Sequence, residues 1–246
     1  MNAKQWIRNA FLYLGALKYP GRGSRVIYYH DLHKKESRTP MSTPLRLFLA
    51  HLQILEEEGF EPVTQIGKEK GEVEITFDDG FHGLYENFDL FLSRKIPVRV
   101  FFITDRIGAK NYMNATEIRE LLQTGLLSIG SHTLSHANLD TLDAAALRRE
   151  VEVSKKRLED LFSVEVDSFC YPRGRFTPLV IEEARRAGYR LQYSCLPGRH
   201  SDFFDEGVVN RSLVQNATPW QFRQILRRGD EIFKERYKTL HFRDRS

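Results

Sequence analysis

Hydrophobic and polar positions along this chain alternate between two periods. Short runs rich in β-branched and aromatic residues at Val26 to Tyr29, Val73 to Phe77, Val98 to Ile103, Leu127 to Gly130, Val166 to Tyr171 and Tyr189 to Tyr193 have the length and composition of buried strands. Between most of them lie helical patterns: Leu45 to Glu58, with Phe48, Leu52 and Leu55 on one face and Gly59 behind it, then Ala115 to Gln123, Ala144 to Leu161 and Pro178 to Ala187. Strand and helix in alternation predict a parallel sheet with crossover helices. A closed β/α barrel and an open sheet both satisfy that pattern, and both gather functional groups at the carboxyl ends of the strands.

The two ends of the chain read differently. Ile7, Phe11 and Leu14, with Tyr13 and Leu17, recur at helical spacing among Lys4, Arg8 and Lys18, so residues 1–22 form an amphipathic segment. It either packs on the domain or rests on a membrane surface with Trp6 at the interface. Residues 23–236 are expected to form the domain, and residues 237–246, "YKTLHFRDRS", a flexible tail.

Composition narrows the class. A chain of 246 residues, 41% hydrophobic, can bury one substantial core. Its formal charge of +4 is spread along the chain, with no basic stripe interleaved with aromatics, which argues against a nucleic-acid protein. Cys170 and Cys195 have no CxxC spacing and do not form a disulfide framework, which fits a reducing compartment. There is no apolar run of about 18 residues, and the start lacks a signal-type cleavage site. A cytoplasmic protein with peripheral contact at the inner membrane face is the expectation.

The chemistry concentrates at predicted strand ends. In "EITFDDGFHG", Asp78 and Asp79 end a strand just before Gly80. Asp-Asp-Gly is ordinary turn material, but adjacent carboxylates in a cleft repel, and a cation can hold one while the other moves protons. In "GSHTLSHANL", His132 and His136 are four residues apart and share a face if the segment is helical. They are either turn and capping histidines or two of the three protein ligands that a catalytic zinc uses. A third break, "FCYPRGRF", places Pro172 and Gly174 where another strand should end.

Together, "TFDDG" at Thr76 to Gly80, "SHTLSH" at Ser131 to His136 and the Pro172-Arg173-Gly174 turn resemble the polysaccharide deacetylase family, also called the NodB-homology or carbohydrate esterase family 4 domain. The resemblance covers roughly residues 26–214 and implies an irregular (β/α)7 barrel. It implies Asp78 as catalytic base, and Asp79, His132 and His136 as ligands of a divalent metal, most often Zn2+, with Co2+, Ni2+ or Mn2+ also used. It further implies that the backbone N–H of Arg173 stabilises the oxyanion. Two departures stand out. The arginine that orients the base in the family's third motif is Cys170 here, and "NRSLV" offers Arg211 in its place, with Arg173 and Arg175 as rivals. The closing His-Asp strand is missing from the end, but "VIYYHD" at the start resembles it, as in a circularly permuted subgroup of exopolysaccharide deacetylases. His30 is accordingly the expected general acid, and His33 and His241 are read as surface histidines.

The implied activity is removal of an N-acetyl group from an amino sugar in a glycan or lipid-linked precursor. The alternatives are a non-catalytic carbohydrate-binding domain on the same fold, and hydrolysis of another amide such as a formamido group or a cyclic amide.

Overall fold

The computed structural model describes residues 3–200, 202, 204–205 and 207–242. Six parallel strands, β1 (Arg25–Tyr29), β2 (Glu72–Phe77), β3 (Val98–Phe102), β4 (Leu127–Ser131), β5 (Ser168–Cys170) and β6 (Leu191–Tyr193), pair each with the next. The seventh position is filled by a bent run. Val208–Val209 pairs with β6, and after Asn210 the same chain continues as Arg211–Leu213 and pairs with β1. One continuous segment therefore joins both ends of the sheet and closes a seven-stranded parallel barrel. The fold is an α/β barrel of the irregular (β/α)7 kind, and the open-sheet alternative does not arise.

Strand residues alternate between two buried environments. On β2, Val73, Ile75 and Phe77 belong to the large core between barrel and helices. Inside the barrel, Val26, Phe101, Cys170, Tyr193 and Val209 pack with Ile66 into a smaller core. Below them Arg99 Nε donates to Glu74 Oε1 at 2.6 Å, and the Tyr193 hydroxyl donates to the same carboxylate. Burial on both faces is why these strands read as nearly continuous apolar runs.

The helices around the barrel are α1 (Ala3–Lys18), α2 (Leu45–Glu57), α3 (Ala115–Gln123), α4 (Ala144–Phe162), α5 (Pro178–Arg186), α6 (Pro219–Leu226) and α7 (Lys234–His241). Their starts are chemically marked. Asn114 and Glu117 make a capping box on α3, the Asp143 side chain accepts from the N–H of Ala146 on α4, and Thr218 with Gln221 caps α6.

The carboxyl-terminal end corrects the sequence-based expectation, and the amino-terminal end takes the packed alternative. The supposed tail from residue 237 is helical through His241, and Phe242 packs on Phe176 and Phe204. Its last four residues, 243–246, lie outside the described ones. The amino-terminal segment is docked on the domain: a Cβ at Gly15 would meet the Gly229 carbonyl oxygen at 2.1 Å, an approach only glycine permits.

Candidate active site

Asp78 and Asp79 follow β2 directly. Asp79 has φ 72° and Gly80 φ 82°, so the chain reverses in the left-handed region as soon as the strand ends. A Cβ at Gly80 would lie 2.5 Å from the Phe102 ring, so the glycine is required for space as well as conformation. The reversal sends the two carboxylates in different directions.

Asp78 points into the barrel and is met by Arg211 from the closing strand. Arg211 Nη1 donates to Asp78 Oδ1 at 2.7 Å and Nη2 to Oδ2 at 2.9 Å, with both side chains almost fully buried. Further contacts hold the guanidinium: Nε donates to the Ser194 carbonyl at 2.9 Å, Nη1 also donates to Thr76 Oγ1 at 3.2 Å, and its centre lies 4.3 Å from the Tyr28 ring and 5.4 Å from the Phe101 ring. Cys170 Sγ is 2.9 Å from Arg211 Nη2. The small side chain at the position where an arginine was expected leaves room for the one that arrives from the closing strand. Arg173, the nearer rival in sequence, bonds Asn138 Oδ1 instead.

Burial opposes the Asp78 charge, but Arg211 more than compensates and holds this carboxyl well below its ordinary value. Asp79 has no such partner. Burial and the Asp78 charge push it up to about 7. Its Oδ1 is buried with no hydrogen-bond partner, 3.5 Å from His132 Nε2 and 3.6 Å from His136 Nε2. Ligand bonds of about 2.0–2.2 Å in a tetrahedron would put ligand atoms roughly 3.3–3.6 Å apart. An orphaned buried carboxylate oxygen facing two imidazole nitrogens at that spacing fits a divalent cation.

The imidazoles are prepared for the same role. His132 Nδ1 lies 2.8 Å from the Cys170 carbonyl oxygen, which can only accept, so Nδ1 carries the proton and Nε2 presents its lone pair to Asp79. Burial pushes His132 down to about 3, and burial with the Arg173 charge pushes His136 down to about 4, so both are neutral near neutral pH and able to serve as ligands. Asp78, His132 and Cys170 also lie close enough together to be considered as ligands. In that group Arg211 occupies both Asp78 oxygens, and burial raises the Cys170 thiol well above its ordinary value. Asp79, His132 and His136 are the donors with lone pairs free.

The expected helical face for His132 and His136 is a correction. Residues 132–138 form a loop after β4, with Thr133 at φ 68° and His136 at φ 66°. Glu150 of α4 holds this loop: Oε2 accepts from the N–H groups of Leu134 at 3.0 Å and Ser135 at 2.9 Å, while Oε1 accepts from Ser135 Oγ at 2.6 Å. Sequence reading missed Glu150, which is one of several acids on a charged helix. Glu150→Ala should weaken metal binding by roughly 10–100-fold, the scale of an outer-shell partner. Chelator-competition titration checks this; an unchanged affinity removes Glu150 from the positioning of the loop.

His30 follows β1 at the same barrel mouth. Its Nδ1 lies 2.6 Å from Gln215 Oε1, a partner not expected from sequence. Burial lowers its pKa, with Asp78 and Gln215 pulling the other way. His33 and His241, expected at the surface, are half-buried: His33 Nδ1 lies 2.8 Å from Ser42 Oγ, and His241 packs behind Gly174. Arg173 and Gly174 have φ 56° and 67°, so the turn after β5 passes through two successive left-handed residues. Arg175 follows that turn, and Arg211 remains the arginine paired with Asp78.

The polysaccharide deacetylase family model matches residues 65–192, more than half of the chain. The protein belongs to that family. Membership indicates a deacetylase that acts on acetylated polysaccharide. Among individual relatives, it is 27% identical over 194 residues to YxkH of Bacillus subtilis, named for polysaccharide deacetylation, covering 74% of this chain and 67% of that one. The structure of IcaB from Ammonifex degensii is similar, with 26% identity, a TM-score of 0.70, and coverage of 86% of this chain and 98% of that one. The Streptococcus pyogenes deacetylase PplD, solved with acetate, shares the fold with a TM-score of 0.73 at 20% identity, covering 84% and 99% of the two chains.

Proposed function

We propose that this protein is a divalent-metal-dependent hydrolase that removes the N-acetyl group from an amino sugar in a glycan or lipid-linked glycan precursor. The observation that carries the proposal is the convergence of the unbonded Asp79 oxygen with two neutral imidazoles beside an arginine-held Asp78. Zn2+ suits one carboxylate and two imidazoles with a position left open. When bound, such an ion acts as a Lewis acid on the amide carbonyl and acidifies water.

The chain supplies the rest. Asp78, kept ionised and aimed by Arg211, accepts the proton of the attacking water. The backbone N–H of Arg173 donates to the oxygen that gains charge in the tetrahedral intermediate. His30 gives a proton to the departing amine, its ring oriented by Gln215. Phe81 and Tyr112 stack with centroids 4.7 Å apart on the turn beside Asp79 and offer an apolar wall for a sugar ring.

A second assignment of roles is favoured by one feature. Both Asp78 oxygens already accept from Arg211, which makes the carboxylate a weak base, whereas burial keeps His30 neutral and able to accept. The two assignments separate by leaving group. If His30 is the acid, His30→Ala should slow release of acetate from N-acetylated oligosaccharides by roughly 10²–10³-fold. An aryl acetate, whose phenolate needs no protonation, should be affected far less. Equal losses on both substrates would make His30 the base.

The proposal as a whole is tested by acetate release from a panel of N-acetylated oligosaccharides with metal-loaded protein. Glycan binding with no acetate formed would identify a carbohydrate-binding module instead.

A further inference from the structure

Helix α1 carries its hydrophobic face on the wrong side for a helix that is only a structural part of the domain. At 100° per residue, Leu12, Ala16, Asn9 and Gly15 form one face, and this is the face that docks. Leu12 is 1% exposed, Gln221 Nε2 donates to Asn9 Oδ1 at 2.7 Å, and Gly15 lies against Gly229. The opposite face carries Trp6, Ile7, Tyr13, Leu14 and Leu17, which are 63%, 59%, 53%, 52% and 62% exposed. A surface helix normally buries its large apolar side chains and shows its polar ones. Here a narrow face with one large apolar side chain, Leu12, is inside, and a contiguous arc of about 120° of aromatic and aliphatic side chains is outside.

Charge identifies the partner. Lys18 borders the apolar arc, Arg8 is exposed further round toward the docked face, and the helix sequence contains Lys4 but no acid. The first acidic residue of the chain is Asp31, and of the two arginines that follow the helix Arg22 pairs with Glu58 and Arg25 is buried against Asp230 and Glu231, so the cations on offer are those of α1 itself. Among the described residues no helix is long and apolar enough to cross a membrane. An apolar strip with an aromatic residue near one end, on a helix whose charged residues are all basic, matches the interface of an anionic bilayer, where side chains enter the acyl boundary and cations meet phosphate.

We infer that α1 is a rigidly docked foot that binds anionic lipid surfaces in the plane of the bilayer. Its contacts also give it a direction. Asn9 meets Gln221 near the start of α6, which begins just after the closing strand, while Gly15 meets Gly229 beyond the end of α6. The helix therefore runs parallel to α6, and its Trp6 end, beside the start of α6, lies toward the catalytic end of the barrel. Binding through α1 in the plane of the bilayer lays the barrel on its side, with its mouth opening along the membrane surface.

The test uses the full chain in flotation with phosphatidylcholine vesicles, with and without 30% phosphatidylglycerol. Wild-type protein should float with the anionic vesicles, at least tenfold more than with the neutral ones, and less as salt is raised. Ile7→Glu with Leu14→Glu changes only outward side chains and should abolish flotation while leaving the thermal transition and acetate release from soluble oligosaccharides unchanged. Equal flotation of variant and wild type, or none by wild type, overturns the inference. So does a wild-type dimer in sedimentation that the double variant makes monomeric, since a second copy would then be what covers the face.

Discussion

Asp78→Asn should lower turnover by roughly 10²–10⁴-fold, the usual contribution of a general base, without loss of bound metal. Metal content is expected to survive because Asp79, His132 and His136 remain. The same change has a second consequence. Arg211 is fully buried, and with its anionic partner gone it keeps a charge that nothing neutralises. Breaking a buried pair from one side costs about 3–5 kcal/mol, so the variant should also melt at lower temperature. A companion Asp78→Asn, Arg211→Met protein removes both charges; it should regain much of the stability and none of the turnover. Thermal unfolding and single-turnover acetate release on the two variants separate chemistry from folding. Near wild-type turnover in Asp78→Asn would exclude Asp78 as the base.

Asp79→Ala should do the opposite to stability. Its carboxyl is pushed up to about 7 by burial and by Asp78, so the fold disfavours its charge. For an acid raised from 3.8, that cost appears as pH climbs past 3.8 and is complete above about 7. The metal-free variant should therefore be more stable than metal-free wild type at pH 8, with an upper bound of about 4 kcal/mol for a shift of that size. Metal binding should fall by more than the roughly 10–100-fold of an outer-shell change, and activity should fall with it. In wild type a cation must displace the Asp79 proton below pH 7, so affinity should drop about tenfold per unit between pH 7 and 5. His132 and His136, at about 3 and 4, add no slope in that window. Calorimetry of metal-free protein and chelator competition at pH 6 and 8 check both halves. Undiminished metal affinity in Asp79→Ala would move the cation elsewhere.

Much of the barrel was legible in the sequence because strands buried on both faces read as apolar runs, as Val73 to Phe77 and Val98 to Phe102 do. The closing strand was not recognised as one. It is interrupted at Asn210, and its inward side chain is Arg211, so its pattern is polar where a strand should be apolar. The last helix, Lys234–His241, escaped notice for a related reason: it buries none of its residues fully, and no apolar periodicity marks it. His132 and His136 do come together at Asp79, but on a loop rather than a helix, since two left-handed residues and the Glu150 carboxylate bend the segment that joins them.

The sequence by itself determined which donors exist and in what order the strands carry them: two adjacent acids, two histidines four apart and a Pro-Arg-Gly turn. These are local facts, set by side-chain identity and short spacing. Only the tertiary structure decided that Arg211, rather than Arg173 or Arg175, pairs with Asp78 across 133 residues of chain. It also decided that His30 stands at the mouth and that the apolar face of α1 points outward. Each depends on how the barrel closes and which faces the helices dock, and that is settled by packing among residues far apart in the chain, which no short window of sequence contains.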